Sequence, residues 1–226
     1  MVMNTFYTLL GAGIALLLGL SLLRQYFDKA RASKIATQHL FSEVEPLLSG
    51  FELKPGDTAG SWKASGHYDG ELFQYHVVVD TLSTRKLPSL WLLLSLPKAQ
   101  PLQATIDLMM RPAGHTTFSQ FDFLGHTIRT PADCPEAAVV RSDTASPWLP
   151  VQAMALAYPI LQNHGGKELL LSPRGLRIVV QVSEADKLRY GVFREARFED
   201  AVIDGQQARN IMNTLLAMDT TLKEPS

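Results

Sequence analysis

The chain has 226 residues, with 21 Lys+Arg against 22 Asp+Glu and a formal net charge of −1. Hydrophobic residues make up 46%, too many for a disordered tail, and the balanced charge excludes a protein that coats nucleic acid by charge alone. A single cysteine excludes an internal disulfide and a zinc knuckle.

From Thr5 to Leu23 the chain carries no charged residue. At ~1.5 Å per residue that run spans ~28 Å, close to a ~30 Å hydrocarbon core, so residues 1–24 are expected to be a transmembrane anchor. Phe6 and Tyr7 at one end and Tyr26 and Phe27 at the other suit the two lipid–water interfaces. Ala30-Arg31-Ala32 imitates a signal-peptide cleavage site, but the apolar run is longer than a signal core, and no Lys or Arg precedes it. Arg24, Lys29, Arg31 and Lys34 follow the run, so the positive-inside rule places the N-terminus outside and the rest of the chain in the cytoplasm. The expected location is a bacterial inner membrane, crossed once. Gly11, Ala15 and Gly19 form a small-residue stripe that would let two such helices pack as a homodimer.

Residues 25–50 are expected to form a juxtamembrane helical stalk: Ala36, Leu40, Val44 and Leu47–Leu48 recur at helical spacing, and Ser49-Gly50 stops them. A hairpin follows. Ser61 to Tyr68 and Glu71 to Val79 flank Asp69-Gly70, a favoured two-residue turn. That turn pairs Tyr68 with Glu71, Gly66 with Phe73, Ala64 with Tyr75 and Trp62 with Val77. Lys63, Ser65 and His67 then share the other face with Leu72, Gln74 and His76. On this reading Gly66 leaves room for the Phe73 ring.

Ser89 to Leu96 reads as a central strand. Leu102, Ala104, Ile106 and Leu108 alternate with Gln103, Thr105 and Asp107 as in a half-buried strand. Residues 110–135 read as a packed loop holding a short strand, and Ala137 to Arg141 as another strand. Leu149 to Asn163 is expected to be a buried helix, with Pro150 at its first position and Pro159 kinking it. A second hairpin turns at Pro173-Arg174-Gly175, and a further strand runs from Tyr190 to Phe198. The last helix opens on Asp204 and Gln207 and buries Ala208, Ile211, Met212, Leu215, Met218 and Leu222. Residues 51–226 are thus expected to be one α+β domain, a mostly antiparallel sheet with helices on one face.

Chemistry is sparse. The six histidines form no H-x-H or H-E-x-x-H pair, no G-x-S-x-G elbow exists, and His164-Gly165-Gly166-Lys167 falls short of a P-loop. Cys134 has no local signature beside it. No cofactor, metal site or nucleic-acid partner is expected, and an enzyme is the less favoured reading. Two places remain to be examined. Arg174, Arg177, Arg189, Arg194 and Arg197 form a basic cluster, a candidate binding surface for an anionic partner. His115, Asp122, His126 and Asp133 share the 110–135 loop, where an unrecognised site would lie. The favoured reading is a membrane-anchored binding or scaffolding protein that contacts the bilayer through residues 5–23 and a protein partner through its domain. One alternative is a tethered carrier of a lipid or apolar ligand, its pocket closed by the 208–222 helix. An enzyme is the second alternative.

Overall fold

The structure, a computed structural model, describes residues 38–58, 61–80, 87–112, 116–163, 165–187, 190, 198 and 200–224. The chain divides into two compact units, Met1–Leu40 and Phe41–Ser226, and the sheet belongs to the second. The apolar run 5–23, its stripe Gly11, Ala15 and Gly19, and the stalk residues 25–37 lie outside the described residues. So does nearly all of the strand expected over 190–198. Among the described residues no helix is long and apolar enough to cross a membrane.

The second unit is α+β. Its strands are β1 (Ser49–Pro55), β2 (Trp62–Tyr68), β3 (Glu71–Asp80), β4 (Ser89–Leu96), β5 (Ile106–Met110), β6 (His126–Ile128), β7 (Ala138–Ser142), β8 (Gly166–Ser172) and β9 (Gly175–Glu184). They form one nine-stranded sheet in the order β1-β2-β3-β4-β9-β8-β5-β7-β6. Every pairing is antiparallel. The edges are blunt: β6 has three residues, and β1 carries a bulge between Ser49 and Glu52 and ends on Pro55.

The first hairpin takes the register set by its turn, with Gly66 opposite Phe73 and Trp62 opposite Val77. Asp69 and Gly70 both adopt positive φ, as the tight turn demands. The space over Gly66 is used differently from the expectation. A Cβ there would lie 2.8 Å from Leu48 Cβ, so it is Leu48, not the Phe73 ring, that occupies the room glycine leaves.

The helix expected through residue 49 gives way to a turn at Phe41 and a short 3-10 segment, Glu45–Leu47. Phe41, Val44 and Leu48 are buried, and the Phe41 ring lies 6.5 Å edge-on from Tyr75. Residues 41–50, read as stalk, therefore build the sheet domain and lead into β1.

Two helices, α1 (Val151–Gln162) and α2 (Gly205–Lys223), cover one face of the sheet. α2 packs on β4 and β9, and α1 packs on β8 and on α2. Asp204 caps α2 by accepting from the Gln207 amide at 2.7 Å, and its stripe from Ala208 to Leu222 is buried. Tyr75 donates to Met212 Sδ at 3.0 Å, tying β3 to this helix. Near the other end of α2, Asp219 receives Gln100 Nε2 at 2.8 Å and Lys98 Nζ at 3.1 Å. Pro150 stands at the N-cap of α1 rather than at its first helical position.

β5 differs from its expected pattern. It starts at Ile106, and all five of its residues are buried, Asp107 included. Alternation reads as half-buried only where water covers the second face, and here Ser119 and Asp122, from the segment between β5 and β6, come close enough to Glu168 and Asp107 to act on them. Phe118 packs on Val78, Leu93 and Val179, with its ring 5.2 Å from Trp91.

Candidate functional site

Antiparallel register lines side chains up in rows across the strands, ~4.8 Å from strand to strand. On the face turned away from the helices, Lys54, Lys63, His76 and Leu93 make one row from β1 to β4. Glu52, Ser65, Gln74, Ser95 and Arg177 make the next, from β1 to β9. Together they floor a groove of about 690 Å³. Asp57 and Thr58, from the β1–β2 connection, and Thr117 and Phe118 also line it.

The charges in this groove are unevenly matched. Lys54 pairs with Glu52 at 2.6 Å and Lys63 with Asp57 at 2.5 Å, and each lysine holds its carboxylate below the ordinary range. Arg177 is held differently. Its Nε donates to Ser95 Oγ at 3.2 Å, and no carboxylate among the described residues lies within ion-pair distance of it. Burial pushes His76 below its usual value, with Lys63 and Arg177 acting in the same direction and Asp57 against them. The imidazole is therefore neutral near pH 7. Its Nε2 is buried without a hydrogen-bond partner among the described residues. His76 is thus half-buried in a charged groove, where its place on the polar hairpin face suggested an exposed strand histidine.

A second set of polar groups lies further along the same face. Asp107 and Glu168 each have 0% exposure, and none of their four carboxyl oxygens has a partner among the described residues. Burial pushes both upward, and Glu168 adds repulsion on Asp107. In one cross-strand row Arg141 lies next to Asp107 on β7, and Arg177 lies two strands away on β9 beyond Leu170, and both also turn to other partners. Arg141 reaches Phe121 O at 3.3 Å and stacks 5.0 Å over the Phe121 ring.

Of the basic cluster, Arg174 is exposed in the β8–β9 turn and Arg177 lies in the groove, while Arg189, Arg194 and Arg197 lie outside the described residues. Of the loop residues, His115 lies outside them. Asp122, His126 and Asp133 are exposed, with Asp122 3.9 Å from Arg141. Among the described residues no group of three or more His, Cys, Asp or Glu is placed to hold a metal. Cys134 stands beside Tyr158, and burial pushes its thiol up, away from the reactive thiolate.

No family model and no curated protein matches the chain. One solved structure, that of the mycobacterial trehalose monomycolate transport factor A, aligns at a TM-score of 0.37 and 10% identity, over 84% of this chain and 98% of that one. A likeness at that level carries no argument about ligand or activity. The groove has to be read from its own residues. Lys63, Ser65, Gln74 and His76 were visible as one hairpin face, but nothing in the sequence brings Arg177 beside them.

Proposed function

We propose that this chain is a binding protein, tethered to a membrane by residues 5–23, that holds its ligand or partner in the groove on the helix-free face of the sheet. The observation that carries this reading is the groove itself. Five strands contribute to it, its volume falls within the ~300–1,000 Å³ of small-ligand sites, and among the described residues its Arg177 has no carboxylate within ion-pair distance and its buried His76 Nε2 no hydrogen bond. Ala208, Ile211, Met212, Leu215 and Met218 of α2 are fully buried, so a carrier role would use the open face rather than a cavity under the last helix.

A photoreactive amino acid at Ser65 or Gln74 tests the reading in intact cells, with Gln152 on α1 as the control position. Adducts formed at the groove positions and not at Gln152 support it. No adduct at either groove position, or equal labelling at all three, overturns it.

A further inference from the structure

We propose that the groove recognises a phosphate ester of a polyol, with the phosphate held by Arg177 and its neighbours and the hydroxyls held along the polar floor. This deepens the binding reading above and rests on it.

The anion follows from the charge arrangement. Both lining carboxylates are already taken by lysines, while the guanidinium of Arg177 has no carboxylate within ion-pair distance among the described residues and acts at longer range on Asp107 and Glu168, which burial pushes toward the uncharged form. Its Nε is fixed by Ser95 Oγ, so the planar fork is pre-oriented and loses little freedom on binding an oxyanion. Lys63, directly across from His76, and Arg177 both lie close enough to His76 to perturb it, which puts donors from three strands around one position. The terminal oxygens of a phosphate ester, three on a monoester and two on a diester, are disposed tetrahedrally and reach donors on different strands better than the two coplanar oxygens of a carboxylate. The buried Nε2 of His76 has no hydrogen-bond partner among the described residues, and a ligand atom there would satisfy it.

The polyol follows from the floor. Ser65 and Gln74 line it with no hydrogen bond to any described residue, next to Ser95 in one cross-strand row. Hydroxyl and amide groups in a row suit a ligand that carries hydroxyls of its own. Phe118 and Leu93 offer a short apolar wall at one end, enough for a carbon skeleton and too little for a long chain, since both are more than nine-tenths buried already. The same chemistry is found in a soluble sugar or glycerol phosphate and in a phosphoglycerol lipid headgroup.

The test uses the full chain in phosphatidylcholine nanodiscs, with calorimetry and the His76 ring resonance as readouts. Glycerol 3-phosphate should bind and shift that resonance. Glycerol should not bind, and inorganic phosphate should bind about tenfold or more weakly. Arg177→Gln should weaken glycerol 3-phosphate about tenfold or more, Arg177→Lys less, and Arg174→Gln not at all, with unchanged melting temperatures as the folding control. Nanodiscs containing phosphatidylglycerol separate the sources. If they shift the His76 resonance with no added ligand, the headgroup is the occupant, and if they do not, the ester is soluble; either result stands with the proposal once glycerol 3-phosphate binds. The proposal falls if glycerol 3-phosphate does not bind, if phosphate alone binds as tightly, or if Arg177→Gln has no effect. Should groove photolabels still capture a partner in cells while no ester binds, the binding reading survives and this inference alone is lost.

Discussion

Asp107 on β5 and Glu168 on β8 lie diagonally across adjacent antiparallel strands, on one face, with neither carboxyl exposed. Both are held in the protonated direction, chiefly by burial. The charged groups around them are Arg177, Arg141, Lys167 and Asp122, and the Lys167 ammonium is occupied by Met110 O and Arg111 O at 2.9 Å each.

A pH dependence follows from that pair. A carboxyl whose pKa is raised in the fold binds more protons folded than unfolded, so its contribution is complete below the ordinary carboxylate value of ~4 and is lost as pH rises. His76, pushed downward, works in the opposite sense and costs stability only as pH falls through ~6.5. Between pH 7 and 9 the carboxyls should therefore dominate. Stability should decline by at most about 1.4 kcal/mol per pH unit per group. Denaturant unfolding across that range should show a slope that Asp107→Asn reduces. A flat profile in the unmodified chain would show that these carboxyls are already ionised in the fold.

Gly66 and Leu48 offer a packing test. Gly66→Ala should cost about 1–3 kcal/mol, because the new methyl meets Leu48 Cβ, which sits on the backbone and cannot swing aside. Leu48→Gly should recover part of that loss in the double variant, since it removes the Cβ that is struck, which Leu48→Ala would keep. Phe73→Ala, at a side chain with 0% exposure, should cost about 3–5 kcal/mol with no such rescue. Unfolding free energies of the four variants decide it; additivity of the Gly66 and Leu48 changes would rule out the contact.

Gly175 should tolerate no side chain. Its φ is +154°, and a Cβ would stand 2.4 Å from the carbonyl oxygen of Leu96 on the neighbouring strand. Gly175→Ala should destabilise by more than the ~1 kcal/mol of an ordinary glycine replacement, because both backbone strain and a collision with main chain oppose it. Arg174→Ala, one residue earlier and exposed, should stay within about ±0.5 kcal/mol in the same melting experiment.

Asp204→Ala should cost about 1 kcal/mol through loss of the 2.7 Å cap on Gln207, with Asp204→Asn retaining most of the stability. Hydrogen exchange should show the effect first at the Gln207 amide. Protection there that is unchanged in the alanine variant would contradict the cap.

The first hairpin and the last helix were legible because their signals are local. Asp69-Gly70 fixes a turn, the turn fixes a register, and Asp204 with a 3.6-residue stripe fixes a helix. β1 was not legible. Its residues Ser49 to Pro55 are polar, bulged and at an edge, and the apolar spacing through Leu48 looked like a helix running up to them. Asp107 misled for a different reason, since its cover comes from residues more than ten positions further along the chain. The groove escaped for a third. Glu52 and Arg177 meet on one face only because β9 inserts beside β4, and no periodicity encodes strand order.

The blunt margins of the sheet bear on how the protein survives at high local concentration. High local concentration favours growth of sheets from one molecule to the next wherever a long flat row of amides and carbonyls is left open. Here one margin offers three residues, and the other is twisted by a bulge, charged at Lys54 and stopped by a proline without an amide hydrogen. Nine strands end without a template for a tenth. Replacing Pro55 and Lys54 by β-branched residues would be expected to turn a discrete protein into one that nucleates fibres.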